Sequence, residues 1–416
     1  MALRPRARRI WATLRAERRT LRQGLVALVL STLASFVAGL TLGSITGTLN
    51  LLPGLLVLIP ASVGMRGTIF GAIGARLGTG IHAGMFEPAL RRDSLLGRNV
   101  EVGLISSVLA SFYLAGAARV VAAAFGVATI SFWDLLTISM VGGVVASAVI
   151  LLVTVAIAVL SFRREWDLDA VSTPMVTAIG DMVTLPALFL ASFIPRNDAL
   201  NAVVATGCIA LTAAALVTGV RSERRTRRIL AEMAGVILLV PLLDIVAGAL
   251  LEARRASLEL VPAVLILIPP FVSQAGALGG ILSSRLSSKL QLGVITPRRR
   301  PEPPALVDGA IVVGFGLLVF TAIGAIAVVL ENLAGLAEGV GLLHPSGASI
   351  VAGTLLAGLI VLPVILVAGY YIAVVTTRFG MDPDNQGVPI ITSLMDLVGV
   401  AAILFAMGVS GVIVHG

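Results

Sequence analysis

The chain of 416 residues is poor in most of what a soluble catalyst is built from. Its single cysteine, Cys208, excludes a disulfide framework and a thiolate metal cluster. Its three histidines, His82, His344 and His415, are too few and too scattered for a zinc site. Charged residues make up only 12% of the sequence, against about 25% in ordinary soluble domains. Lysine is almost missing: of 30 basic residues only Lys289 is Lys, a bias of codon usage rather than of mechanism. No GxxxxGK[ST] phosphate loop is present, which excludes power from a bound nucleotide. What fills the chain is apolar, with 57% hydrophobic residues. That excludes a soluble enzyme and a nucleic-acid-binding module. The net charge of +8 does not restore the latter, because the charges sit in short loops between long apolar runs. The expected fold class is an all-α polytopic membrane protein, multi-pass in a cell membrane, with the lipid bilayer as its first partner.

A helix needs about 20 mostly apolar residues to cross the hydrocarbon core. Spans read on that rule fall near 24–46, 51–83, 101–127, 131–162, 170–195, 199–220, 229–250, 258–290, 305–330, 346–377 and 386–414. The first is too long for a signal-peptide core and lacks a cleavage site, so it is expected to stay in the membrane. Cytoplasmic loops collect Lys and Arg, and eleven crossings sort them sharply. The tail 1–23 holds eight Arg, and the loops 88–100, 161–169, 221–228, 297–304 and 378–385 bring one face to 22 basic residues. The opposite loops hold three, Arg196, Arg254 and Arg255. The expectation is a cytoplasmic N-terminus and an outside C-terminus.

Residues 51–88 align without a gap to 260–297 at an offset of 209. Pro53, Pro60, Gly67, Gly71, Arg76, Leu77, Gly84 and Pro88 meet Pro262, Pro269, Gly276, Gly280, Arg285, Leu286, Gly293 and Pro297. Further on, Asp167, Asp169, Pro174, Thr177 and Asp181 meet Asp382, Asp384, Pro389, Thr392 and Asp396 at an offset of 215. The chain therefore reads as a basic tail 1–23, a five-helix unit 24–195, a linker with one helix 196–228, and a second five-helix unit 229–416. Five is odd, so direct fusion would invert the second unit; the extra span makes the two parallel, related by a pseudo-two-fold axis along the membrane normal.

Asp181 and Asp396 are the sharpest candidates. A carboxylate in the bilayer core costs about 2.5–3.5 kcal/mol on insertion scales, and two at equivalent positions ask for a shared purpose. Thr177 and Thr392 lie four residues earlier, on the same helix face. Thr173 adds a third hydroxyl, where the second unit has Val388. Oxygen ligands without nitrogen or sulfur suit a hard cation such as Mg2+, often held through its hydration shell by one or two carboxylates. The plainer reading is a protonated Asp hydrogen-bonded between helices. Asp167, Asp169, Asp382, Asp384 and Asn385 precede the last span of each unit, where they would form a cation-concentrating cytoplasmic mouth or cap the helices that follow. Gly67, Gly71, Gly276 and Gly280 form small-xxx-small faces for helix packing. Arg76 and Arg285 are expected to snorkel to the cytoplasmic surface. Arg66 lies deeper, facing Asp244, Glu101 or a pore Asp, with Ala275 as its counterpart. Asp244 and Glu232 lack acidic counterparts, with Ser35 opposite Asp244, and read as members of interhelical ion pairs or hydrogen bonds.

The block PASVGMRGTIFGAIGARLGTGIHAG resembles the membrane-domain signature of the MgtE family of magnesium channels, and DPDNQGVPIITSLMDLVGVAAILF resembles that family's last membrane helix. The fused arrangement is similar to eukaryotic solute-carrier relatives that hold two MgtE modules in one chain. The resemblance covers nearly everything from residue 24 to 414. It departs from the signature at Thr68 and Ala277, where the family has Asn, and in the DLDA that stands where the second unit has DPDN. It implies conduction of a divalent cation, chiefly Mg2+, between the two units, with Asp181 and Asp396 matching the pore aspartate. Magnesium is then the transported ion; no prosthetic cofactor is implied. One chain supplies both halves as an intramolecular pseudo-dimer, where MgtE channels use a homodimer. With only 23 residues before the first span, the family's cytoplasmic magnesium sensor is expected to be absent.

Three rivals stand beside this reading. Coupling to Na+ or H+ would make an exchanger or exporter. Gly180-Asp181 matches the Gly-Asp context of an intramembrane aspartyl protease, but the helical repeat already explains both aspartates, so an enzyme is not expected. A receptor or scaffold has no use for matched membrane carboxylates.

Overall fold

The computed structural model describes residues 18–45, 52–164, 168–194, 198–333, 345–380 and 386–413. The described residues form eleven long helices and no strand. The first unit contains α1 (Arg18–Ser44), α2 (Leu55–His82), α3 (Leu95–Ala124), α4 (Phe132–Arg164) and α5 (Leu168–Ala191). The connecting helix is α6 (Asp198–Arg221). The second unit contains α7 (Arg224–Ala253), α8 (Pro262–Gln291), α9 (Pro303–Leu333), α10 (Gly347–Arg378) and α11 (Val388–Val409). Nine of these are long and apolar enough to cross a membrane. The other two, α1 and α5, contribute the apolar stretches Leu28–Ser44 and Ala178–Ser192. Large apolar side chains such as Leu30, Val120, Leu152, Val203, Leu239, Val367 and Phe405 point outward, as a lipid-facing surface requires. The chain is an all-α, multi-pass membrane protein.

The helices do not sort into two self-contained bundles. The first helix of each unit lies along the second helix of the other: α1 packs on α8, and α7 on α2. Each first helix also packs on the last helix of its own unit, α1 on α5 and α7 on α11. These six helices form the centre; α3, α4, α9 and α10 flank it, and α6 rests mainly on α3.

The chemistry of the two exchanged crossings is visible in the residues. Pro60 in α2 and Pro270 in α8 have no N–H to give to the carbonyls of Leu56 and Ile266 four residues earlier. A glycine closes over each place. A β-carbon at Gly248 of α7 would sit 2.5 Å from the Val57 carbonyl oxygen and 2.6 Å from that of Leu56. A β-carbon at Gly39 of α1 would overlap the Ile266 carbonyl outright. Gly39 and Gly248 stand 209 residues apart, as do Val57 and Ile266, so both crossings repeat one design. Small residues that admit backbone-to-backbone approach drive helix association where lipid removes the hydrophobic incentive.

The starts of α2 and α8 are buried, and their free N–H groups need acceptors. Glu252, at the end of α7, accepts from the Leu56 N–H at 3.3 Å. Glu331, near the end of α9, accepts from the Ala263 N–H at 3.0 Å.

Candidate cation site

Asp181 is buried on α5 and held by two hydroxyls. Ser35 of α1 donates to its Oδ2 at 2.5 Å, and Ser273 of α8 donates to the same oxygen at 2.8 Å. Asp396, on α11, is half-buried. It lies close enough to Asp244 of α7 and to Asp181 for their charges to act on one another. The three carboxylates therefore share one region at the centre of the molecule, where the two units meet. Gly64 of α2 closes the second-unit side: a β-carbon there would lie 2.7 Å from Asp244 Oδ2 and 3.5 Å from Asp396 Oδ2.

The pseudo-symmetry explains the layout. Each repeated aspartate faces the first helix of its own unit and the second helix of the other. Asp181 meets Ser35 and Ser273; Asp396 meets Asp244 and Gly64. Ser35 corresponds to Asp244, and Gly64 to Ser273, at the repeat offset of 209. The exchanged crossings thus bring one residue of each unit onto the other's aspartate. Ser35 and Asp244 also stand one turn before the crossing glycines Gly39 and Gly248, which fixes their heights. Ser35 enters the sequence reading only as the counterpart of Asp244, and Ser273 and Gly64 do not enter it. Their signal was present: the ungapped block pairs Gly64 with Ser273, a polar difference beside an otherwise matched face.

The other expected site residues divide. Thr392 is next to Gly276, whose β-carbon would come within 3.4 Å of it, but its hydroxyl donates to the Pro389 carbonyl at 2.9 Å. It bonds within its own helix. Gly280 faces Val388 across the same crossing, and Gly279, which sequence reading passed over, faces Ile391 more tightly. Gly67 and Gly71 meet no described side chain within 4 Å of an added β-carbon. Thr173, Thr177 and Asp169 lie in α5, with side chains outside the description, and Asp167, Asp382, Asp384 and Asn385 fall outside the described residues. Among the described residues, no group of three or more His, Cys, Asp or Glu side chains is arranged to hold a metal ion directly.

Three charged side chains depart from expectation. Arg66 pairs with none of the acids named for it. It is buried, donates to the Ser62 carbonyl in its own helix, and reaches the Ser111 hydroxyl of α3 at 3.5 Å. Its guanidinium lies against Gly143, where α4 leaves a π-helical turn at Ile138–Gly142. Arg285 does not simply snorkel. It donates to Asp308 Oδ1 through Nε at 3.1 Å and Nη2 at 2.8 Å, and Lys289 reaches Oδ2 of the same buried carboxylate at 2.6 Å. Glu232 makes a pair within its own helix with Arg228 at 2.9 Å, both exposed. Arg76 contacts the Met233 sulfur of α7 at 3.4 Å, and Glu101 accepts from the Ser222 hydroxyl at 2.6 Å.

A family described as MgtE, divalent cation transporter, matches residues 59–191 and 268–406, one segment in each unit. Solute carrier family 41 member 3 of Mus musculus is 24% identical over 370 residues, covering 83% of this chain and 73% of that protein. The Rattus norvegicus member 3 is 23% identical over 393 residues, covering 90% and 84%. Member 2 of Mus musculus is 24% identical over 363 residues, covering 83% of this chain and 62% of its own length. Each matched segment runs from the second helix of a unit into its last, and so carries one of the two central aspartates. By this match to both of its halves, the chain belongs to the MgtE family of divalent cation transporters.

Proposed function

We propose that this transporter carries chiefly Mg2+, along a path between its two five-helix units, with a largely hydrated ion bound between Asp181 and Asp396. The observation that supports this most directly is that each repeated aspartate lies against the other unit, Asp181 on Ser273 of α8 and Asp396 over Gly64 of α2. Mg2+ gives up its water reluctantly and is typically held by one or two carboxylates through its hydration shell. Like charges buried together are unfavourable until a cation stands among them. The same ion gains about 2.3 kcal/mol per elementary charge for each 100 mV of inside-negative potential, enough to drive entry without a second energy source.

The rest of the reading follows the sequence. The N-terminus is cytoplasmic and the C-terminus outside. Asp167, Asp169, Asp382, Asp384 and Asn385 concentrate cations at the cytoplasmic mouth. One chain forms the whole path as an intramolecular pseudo-dimer in the lipid bilayer. The test is Mg2+ flux into proteoliposomes under an imposed potential, comparing the wild type with the Asp181→Asn, Asp396→Asn double variant. Potential-driven flux that vanishes in the variant is the expected result. Flux that persists removes these aspartates from the ion path. A folded wild type that moves Mg2+ only when a Na+ or pH gradient is added is a coupled carrier. One that moves none under any gradient sinks the Mg2+ assignment.

A further inference from the structure

We propose that Asp244 is a third cation-binding carboxylate, and that the ion rests off the pseudo-two-fold axis, on the second-unit side, gripped by Asp244 and Asp396 over Gly64. The inference rests on the transport reading above and adds to it where in the site the divalent ion sits. Four observations lead there. Asp244 is completely buried in the centre of α7, where an ionised carboxylate without a partner is costly. Among the described residues neither of its oxygens has a donor at strict hydrogen-bond geometry, and the polar groups close enough to act on it are Ser393 and Asp396 itself. Its Oδ2 and Asp396 Oδ2 converge on the space over Gly64 that a single β-carbon would fill. Asp181, by contrast, has one oxygen already engaged by both Ser35 and Ser273.

The two sides thus differ in what they ask of a ligand. On the first-unit side the carboxylate is answered by protein hydroxyls. On the second-unit side two carboxylates face each other over a glycine, where either a proton shared between them or a cation can answer them, and only the cation needs the open space over Gly64. A divalent cation with part of its water shell meets both acids at once, and Asp181 then acts on it from across the interface.

The test is Mg2+ binding to purified protein in detergent by calorimetry, beside flux, for three variants. Asp244→Ser copies the first unit's Ser35; Gly64→Ala keeps all three carboxylates and fills the space; the Asp181→Asn, Asp396→Asn double variant tests the underlying reading. Loss of a carboxylate contact is expected to weaken Mg2+ binding by roughly tenfold or more, and both Asp244→Ser and Gly64→Ala should show it. The melting temperature without Mg2+ is expected to hold or rise in Asp244→Ser, because a buried acid is removed. Wild-type Mg2+ affinity in Asp244→Ser, with weakened binding in the double variant, overturns the role of Asp244 and leaves the two-aspartate site standing. Unchanged binding in all three takes the transport site itself away. Should Asp244→Ser fail to fold, Gly64→Ala decides alone, and unchanged affinity there overturns the proposal.

Discussion

At the crossing of α1 with α8 the first unit offers Ser35 to Asp181, whereas at the crossing of α7 with α2 the second offers Asp244 to Asp396. The helix paths are the same and the chemistry is not. A similar contrast runs along the second helices. Arg66 projects from α2 toward Ser111 of α3, and α4 takes a π turn beside it. Its counterpart in α8 is Ala275, and there α10 runs as continuous α-helix from Gly347 to Arg378 and packs far more extensively on α8 than α4 does on α2. A π turn is a common way for a helix to absorb a functional or bulky intrusion. The lesson is about duplication inside one chain. In a homodimer each substitution appears on both sides of the axis. Here each side accepts its own, so a backbone design held fixed by glycines and prolines carries two different polar linings.

The crossings themselves are the first place to break this comparison. Gly39→Val and Gly248→Val each force α1 from α8 or α7 from α2, because the obstacle is backbone rather than a movable side chain. Loss of the monodisperse detergent-solubilised species on size-exclusion chromatography is expected for Gly39→Val, with Gly248→Val close behind. A well-behaved Gly248→Val protein would show that the two crossings are not equivalent. Next in size is the C-terminal end of the second helices. Asp308→Ala leaves Arg285 and Lys289 together without their buried partner, a change of about 3 kcal/mol. Glu101→Ala, 207 residues earlier at nearly the repeat offset, loses among the described contacts the Ser222 hydroxyl, about 1 kcal/mol. Thermal unfolding of the two variants side by side measures the gap, and equal losses would erase the distinction between the units there. The smallest effect belongs to Arg228→Ala. Its pair with Glu232 is exposed, and a shift within about 0.5 kcal/mol is expected.

Much of this fold was legible from residues alone. Length and apolar content marked the eleven helices, and the two offsets, 209 and 215, exposed the duplication and the paired aspartates. What stayed hidden was which helix lies against which. Apolar periodicity says that a helix has a face, but lipid-exposed and protein-packed faces are both apolar here, so the exchange of α1 and α7 left no mark in hydropathy. Gly39 and Gly248 carry no sequence signature because each works singly, against a partner in the other unit, whereas glycines spaced four apart in one helix announce a packing face. Asp244 was noticed as unmatched, yet its place beside Asp396 depends on the α7–α11 contact. Arg285 was assigned to the surface because a long cation near a helix end usually goes there. Asp308, 23 residues on, captures it instead.

The exchange of first helices also sets the order in which this protein can be made. α1 leaves the ribosome early, but its main partner α8 ends only at Gln291. At synthesis rates of 5–20 residues per second, the wait is roughly 12–50 seconds. Through that interval Ser35, Gly39 and the apolar flank of α1 must be shielded by lipid, by the insertion machinery or by α5, its main described neighbour from its own unit. The centre closes only after α7 and α8 have both entered the membrane. Damage anywhere in the second unit is therefore expected to leave the first unit unfinished as well, with α1 exposed to quality control rather than surviving as half a transporter.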